Sequence, residues 1–342
     1  MNKFKKAINE LNPYFNKKID INLSPPQHYR MRCEFSYKNS SYVMFDKQKN
    51  YIYMDRFNVA SRPIFNIQPI LLNLINDNFL ISKNLFQINF RSNNENKILI
   101  TLIYRKKVNN EALHAIDMLS AELNITIYVR SKNFVYKTNN ENFYELVDLG
   151  FQQIKIFQSD KTFFQPNLYL YPKMVNFLIE NIVNCSDLLE LYCGVGSFTI
   201  PLSYKFNNIF ATENNRESIS MLEKTIDVNL IKNINFSRLN AEEVIDVYKG
   251  KSFRRLKDIV LTDYNFSHIL VDPPRSGLDD KVIDLLNRFE NIIYISCNLD
   301  TYIRDIKKLT NYKIEKLSIF DQFVDTEHLE IVSILKKINL ET

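Results

Sequence analysis

Three side chains of this chain could act together on one substrate. They are Cys297 in Tyr294-Ile295-Ser296-Cys297-Asn298, Asp272 in Val271-Asp272-Pro273-Pro274-Arg275-Ser276-Gly277, and Glu330 in His328-Leu329-Glu330-Ile331-Val332. A thiolate is strongly nucleophilic at modest pKa, so cysteine is the natural group for conjugate addition to an electron-poor ring. Uracil is such a ring. Its C5 is too weak a nucleophile to take a methyl group from a sulfonium unaided, and addition of a thiolate at C6 makes an enolate whose C5 can. Taken alone, a cysteine ending a strand is more often a small buried hydrophobe, the role read for Cys33, Cys185 and Cys193. Glu330 shares a strand face with Val332 and Ile334, so partial burial should raise its pKa and suit it to remove a proton from carbon. His328 competes for that role, and Glu327 faces less well. Two prolines stop the strand before them and hold Asp272 rigidly at its carboxyl end. An isolated Asp-Pro-Pro would be read as an ordinary turn.

A fourth block, Glu190-Leu191-Tyr192-Cys193-Gly194-Val195-Gly196-Ser197-Phe198, offers a place for a nucleoside. Gly194 and Gly196 allow a tight turn and a close backbone approach to a ligand. Glu213 ends the next strand 17 residues after Gly196, where a carboxylate holding ribose hydroxyls is expected. A dinucleotide loop needs a third glycine where Thr199 stands, so a cofactor without pyrophosphate, such as S-adenosylmethionine, fits better. The plain alternative is a tight strand–helix turn. Three of the chain's 5 glycines fall in this block and the Asp272 block, which favours a functional role.

The elements that position these groups follow from hydrophobic period. From about residue 172, strands at 187–192, 207–213, 233–238, 266–271, 291–296, 312–320 and 328–336 alternate with helical stretches. That rhythm predicts an α/β class, a doubly wound, mostly parallel sheet whose ligands sit beyond the strands' carboxyl ends. Residues 161–342 are assigned to this catalytic domain. Residues 1–160 predict an α+β RNA-binding domain. In 29–37, Tyr29, Met31, Cys33, Phe35 and Tyr37 take one face of a strand and Arg30, Arg32, Glu34 and Ser36 the other. Helices are expected near 66–79 and 110–123. Residues 1–100 carry 15 Lys and Arg against 7 Asp and Glu, net +8, while residues 101–342 carry 29 against 32, net −3. A basic front end suits a polyanion, with Arg30 and Arg32 as phosphate contacts, although a solvated basic surface explains charge alone equally well.

Composition excludes other classes. The 4 cysteines form no Cys-x-x-Cys pair and have no His partner at metal spacing, against zinc, an iron–sulfur cluster or a disulfide framework. MNKFKKAINELNPYF lacks an apolar signal core and no run is long enough to span a membrane, so a cytoplasmic location is expected. Nothing points to an obligate protein partner.

In this order the blocks resemble the tRNA (uracil-5-)-methyltransferases, which make ribothymidine in the T loop. The likeness is carried by ELYCGVGSF, VDPPRSGLD, YISCN and FDQF followed by HLE, and in the first half by HYRMRCEF from His28 and FFQPN from Phe163. The resemblance implies a Rossmann-like class I methyltransferase in which Gln165, Tyr192, Gly194, Ser197, Glu213 and Asp272 surround S-adenosyl-L-methionine. It implies Cys297 as nucleophile and Glu330 as the base that removes the C5 proton before elimination frees the enzyme. The family's loop usually has Asn where Val195 and Ser197 stand, and often His where Glu327 stands. The implied substrate is the T-loop uridine, position 54, of transfer RNA, with the equivalent uridine of transfer-messenger RNA, and no metal. Three alternatives remain. Many related ribosomal RNA uracil-C5 methyltransferases carry a cysteine cluster and an added N-terminal barrel, and the first 60 residues here hold one cysteine. Amino-group methyltransferases place an aromatic after the prolines, where this chain has Arg275. A non-catalytic RNA-folding factor would not need Cys297.

Overall fold

The computed structural model describes residues 3–338. The chain opens with α1 (Lys3–Leu11) and a short strand β1 (Asp20–Asn22), which join the second of the two large sheets. The first sheet has seven strands: β2 (Arg32–Lys38), β3 (Ser41–Phe45), β4 (Tyr51–Met54), β5 (Leu85–Ser92), β6 (Ile98–Tyr104), β7 (Thr126–Ser131) and β8 (Phe134–Lys137). Their order is β4-β3-β2-β5-β6-β7-β8, antiparallel except for β6–β7. One face is covered by α2 (Arg62–Asp77), α3 (Phe79–Ser82) and α4 (Asn110–Leu123). There Ile64, Leu71 and Ile116 bury against Cys33, Phe35, Ile88 and Phe90. The alternation predicted for 29–37 is present: Tyr29, Met31, Cys33 and Phe35 are buried. Regular pairing starts at Arg32 because Arg30 bridges to Ala60 and Asn167 instead. Helix α4 ends where expected because the Asn109 side chain caps its start and Asn124, left-handed at φ 50°, closes it.

A ribbon of β9 (Phe143–Asp148) and β10 (Gln153–Gln158) leads to the second sheet. That sheet contains β11 (Asp187–Leu191), β12 (Asn208–Thr212), β13 (Ile234–Ser237), β14 (Phe266–Val271), β15 (Asn291–Ser296), β16 (Tyr312–Phe320) and β17 (Glu330–Lys337) in the order β1-β16-β17-β15-β14-β11-β12-β13. Strands β13 to β15 pair in parallel through β12, β11 and β14, and β17 enters antiparallel between β15 and β16. Helices α5 (Tyr171–Asn181), α6 (Thr199–Leu202) and α7 (Arg216–Val228) pack on one face. The other face carries α1, α8 (Ala241–Tyr248), α9 (Asp280–Leu286) and α10 (Leu299–Ile306). This is the doubly wound arrangement expected from the alternation.

Contacts cross the division expected at residue 160. Strand β1 pairs in parallel with β16, and Ala7 and Leu11 of α1 are buried in the second sheet's core. Val147, Ile154 and Ile156 of the ribbon pack with α5. Both segments thus add buried residues to the second sheet's core, while Asn93 and Asn94 of the first unit donate to the Tyr144 and Leu146 carbonyls of the ribbon. Among the described residues no helix is long and apolar enough to cross a membrane.

Candidate active site

Strand register gathers the chemistry. Asp272 directly follows β14 and Cys297 directly follows β15, and the two strands are parallel neighbours with Val271 opposite Tyr294. Because β17 runs antiparallel beside β15, its first residue lies at the same edge as the others' last: Ser296 pairs with Ile331, which places Glu330 next to Cys297. A carboxylate, a thiol and a second carboxylate therefore leave three adjacent strands at one edge of the sheet. Glu330 is 5% exposed and Cys297 is half-buried.

Burial dominates the electrostatics at this edge, with the neighbouring carboxylates adding to it. Burial pushes the Asp272 carboxyl up to about 7. Burial also holds Glu330 well above the ordinary carboxylate range, with Asp272 adding to the rise and Arg275 opposing it. The Cys297 thiol is pushed up to about 11 by burial, then by Glu330 and Asp272, again against Arg275. A carboxyl raised in this way is a competent base for a carbon acid near neutral pH, and the thiol is protonated until positive charge arrives. Cys297 opens into a cleft of about 290 Å³ shared with Lys3, Arg275, Asn298 and His328.

Beside this edge, the loop after β11 forms a backbone cradle. The Gly194 N–H donates to Glu213 Oε2 at 3.1 Å and the Asn215 N–H to Glu213 Oε1 at 2.6 Å, which fixes the carboxylate that ends β12. A Cβ built on Gly194 meets nothing within 4 Å, so the loop borders open space. At Gly196, φ is +89° and a Cβ would sit 2.7 Å from Leu222 Cδ1, so glycine is required there for both backbone and packing. Ser197 is buried, and its carbonyl accepts from the Tyr171 hydroxyl at 2.7 Å. The structure thus brings Tyr192, Gly194, Ser197 and Glu213 onto one loop and strand end, beside β14 and its Asp272. Gln165 is buried, accepts from Gln322 Nε2 at 3.1 Å and lines a separate cavity with Glu145 and Tyr171, whose hydroxyl bonds Ser197. Two carboxylates at nearby strand ends, Glu213 and Asp272, beside open space at Gly194 suit a ligand that bears hydroxyls and an ammonium, so these residues fit a sulfonium nucleoside.

Arg30 and Arg32 lie elsewhere. They line a cleft of about 370 Å³ with Glu34, Phe57, Phe163 and Phe323. The Arg30 guanidinium sits 5.2 Å from the Phe323 ring centre, and Arg32 pairs with Glu34 at 2.6 Å. Sequence reasoning missed Asp305, which is fully buried, accepts from Tyr294 Oη at 2.7 Å and from the Leu278 N–H at 2.9 Å, and ties α10 to the Asp272 loop. Its signal was available: Tyr302, Asp305 and Ile306 share the buried face of α10. Lys3 was also missed, and no local pattern marks it.

An eight-stranded, mostly parallel sheet with an antiparallel β17 and a glycine loop after β11 defines the class I methyltransferase fold. The chain belongs to the tRNA (uracil-5-)-methyltransferase family, whose description matches residues 1–338. It is 38% identical over 324 residues to a tRNA/tmRNA (uracil-C(5))-methyltransferase of Campylobacter concisus, covering 93% of this chain and 88% of that protein. A protein of the same name from Acinetobacter baumannii (strain AYE) is 38% identical over 334 residues, covering 94% and 92%. Among solved structures, the Pyrococcus abyssi tRNA (uracil-54, C5)-methyltransferase in complex with S-adenosyl-L-homocysteine shares the fold at a TM-score of 0.76. Identity there is 20%, over 97% of this chain and 82% of that one.

Proposed function

We propose that this protein methylates C5 of the T-loop uridine, position 54, of transfer RNA and of the equivalent uridine in transfer-messenger RNA, in the cytoplasm. The observation that carries the proposal is the row of Asp272, Cys297 and Glu330 on three adjacent strand ends, beside the glycine loop that follows β11. Gln165, Tyr192, Gly194, Ser197, Glu213 and Asp272 are the residues that would hold S-adenosyl-L-methionine, which when bound supplies an electrophilic methyl group. Cys297 gives up its proton to solvent in its cleft and its sulfur adds to C6 of the uracil, which makes C5 the nucleophile. Once C5 carries its methyl group, Glu330 removes the C5 proton, the sulfur–C6 bond breaks and the thiolate is regenerated. A stacked base must be flipped to reach this edge, and the Arg30–Arg32 cleft is suited to grip the displaced strand's phosphates.

Labelled methyl transfer to T-arm minihelices and to ribosomal RNA fragments tests the substrate. Incorporation into the minihelix alone is expected. Preference for a ribosomal fragment, or no incorporation into either, overturns the assignment.

A further inference from the structure

The loop from β16 to β17 carries Phe323 between the two clefts. Its ring meets the Arg30 guanidinium on the RNA-side cleft and the His328 ring, with centres 6.4 Å apart, on the Cys297 side. The turn's own backbone supplies a Thr326 N–H to Phe323 carbonyl bond at 3.1 Å. A stronger hold comes from the far end of the chain. Lys3, with its side chain 10% exposed, donates through Nζ to Asp321 Oδ1 at 2.6 Å and to the carbonyls of Phe323, Val324 and Thr326 at 2.9 Å each. An ammonium has three protons, so four acceptors at contact leave none for a substrate. Helix α1 does not need this contact to dock, since Ala7 and Leu11 already bury it in the core. Other partners hold the loop's neighbouring atoms: the Tyr29 hydroxyl accepts from the Val324 N–H at 3.3 Å and Gln322 bonds Gln165.

We propose that Lys3 is a positioning residue that sets the Phe323–Thr326 turn as the wall a flipped base passes between the Arg30–Arg32 cleft and Cys297. This rests on the RNA-methylation reading above. Lys3 lines the Cys297 cleft but its protons are all taken by Asp321 and the loop's carbonyls, so its removal shifts the RNA-facing wall and leaves the β11 loop and Asp272 in place.

Steady-state kinetics of Lys3→Met with T-arm RNA and S-adenosyl-L-methionine test it. The KM for RNA should rise about tenfold or more, while the KM for S-adenosyl-L-methionine stays within about twofold of wild type. A merely structural lysine would lower the melting temperature and move both constants together. In a Phe323→Ala background, Lys3→Met should add less than about twofold to the RNA KM, because both changes remove the same wall. Lys3→Gln, which keeps two N–H donors, is measured in parallel and should fall between wild type and Lys3→Met. An unchanged RNA KM, parallel loss of both constants, additivity with Phe323→Ala, or failure of both variants to fold overturns the proposal. A wild-type protein inactive on T-arm RNA overturns the functional reading and this inference with it. An active wild type with an unmoved Lys3→Met KM overturns this inference alone.

Discussion

Gly277→Ala should damage the enzyme far beyond what one methyl group on a loop suggests. Gly277 has φ +74°, and a Cβ there would lie 2.6 Å from Asp305 Oδ2, 2.6 Å from Arg304 Nη2 and 2.9 Å from Thr301 Cβ. The left-handed backbone costs an alanine about 1–2 kcal/mol. Displacing Asp305 also weakens bonds it accepts from the Leu278 N–H and the Tyr294 hydroxyl, and hydrogen bonds to a buried charged group are worth about 1.5–3 kcal/mol each. Losing one of them brings the total to about 2.5–5 kcal/mol, a large share of a typical domain's stability of about 5–15 kcal/mol. The same contacts tie the loop bearing Asp272 and Arg275 to α10, whose start follows Cys297. A shift of about 1 Å between those groups should therefore cost about a hundredfold in kcat among molecules still folded. Urea titration and single-turnover methyl transfer measure the two effects. A destabilisation below about 1 kcal/mol with kcat nearly unchanged would refute the clash and the clamp together.

Three other predictions concern protons. With the Cys297 thiol pushed up to about 11, its alkylation by iodoacetamide should speed up about tenfold per pH unit from pH 7 towards 10, and Glu330→Gln should move that titration downward; a plateau near pH 7 would contradict that rise. Glu190 is 1% exposed and pushed up to about 8 by burial, so the folded state keeps a proton that the unfolded chain releases near its ordinary value. Its contribution to stability is present at acid pH and lost as pH rises through about 8, so urea midpoints should fall from pH 5 to 8.5 and Glu190→Gln should flatten the fall. An identical slope in the variant would exclude Glu190 as its source. Glu330→Gln should also accumulate a methylated covalent RNA–enzyme complex with ordinary uridine RNA, seen on denaturing gels, because the C5 proton is then retained; rapid turnover by the variant would remove Glu330 from the base role.

Much of the site could be read along the chain because each part of it is the end of a strand. The last four residues before Asp272, Cys297 and Glu213 are buried and mostly apolar, so length and stop signals placed their ends, and the facing of Glu330 followed from Val332 and Ile334. Alternation in 29–37 likewise separated the buried row from Arg30 and Arg32. What escaped was nonlocal. Strand β1 has three residues and no buried position, so nothing in Asp20–Asn22 announces a partner in β16, nearly 300 residues away. The short β9 and β10 pair across a turn with weak period, and the burial of Val147, Ile154 and Ile156 depends on α5 and α7. Lys3 stands in an ordinary amphipathic helix, and its role exists only because four oxygens of a distant turn converge on it.

The central claim is that Cys297 attacks the uracil ring. T-arm RNA carrying 5-fluorouridine, mixed with the protein and S-adenosyl-L-methionine, places at C5 a fluorine that cannot leave as a proton, so elimination stalls after methyl transfer. Mass spectrometry of the digested complex should find the methylated fluoropyrimidine on the peptide containing Cys297. No adduct, or an adduct on Cys33, Cys185 or Cys193, would contradict the account.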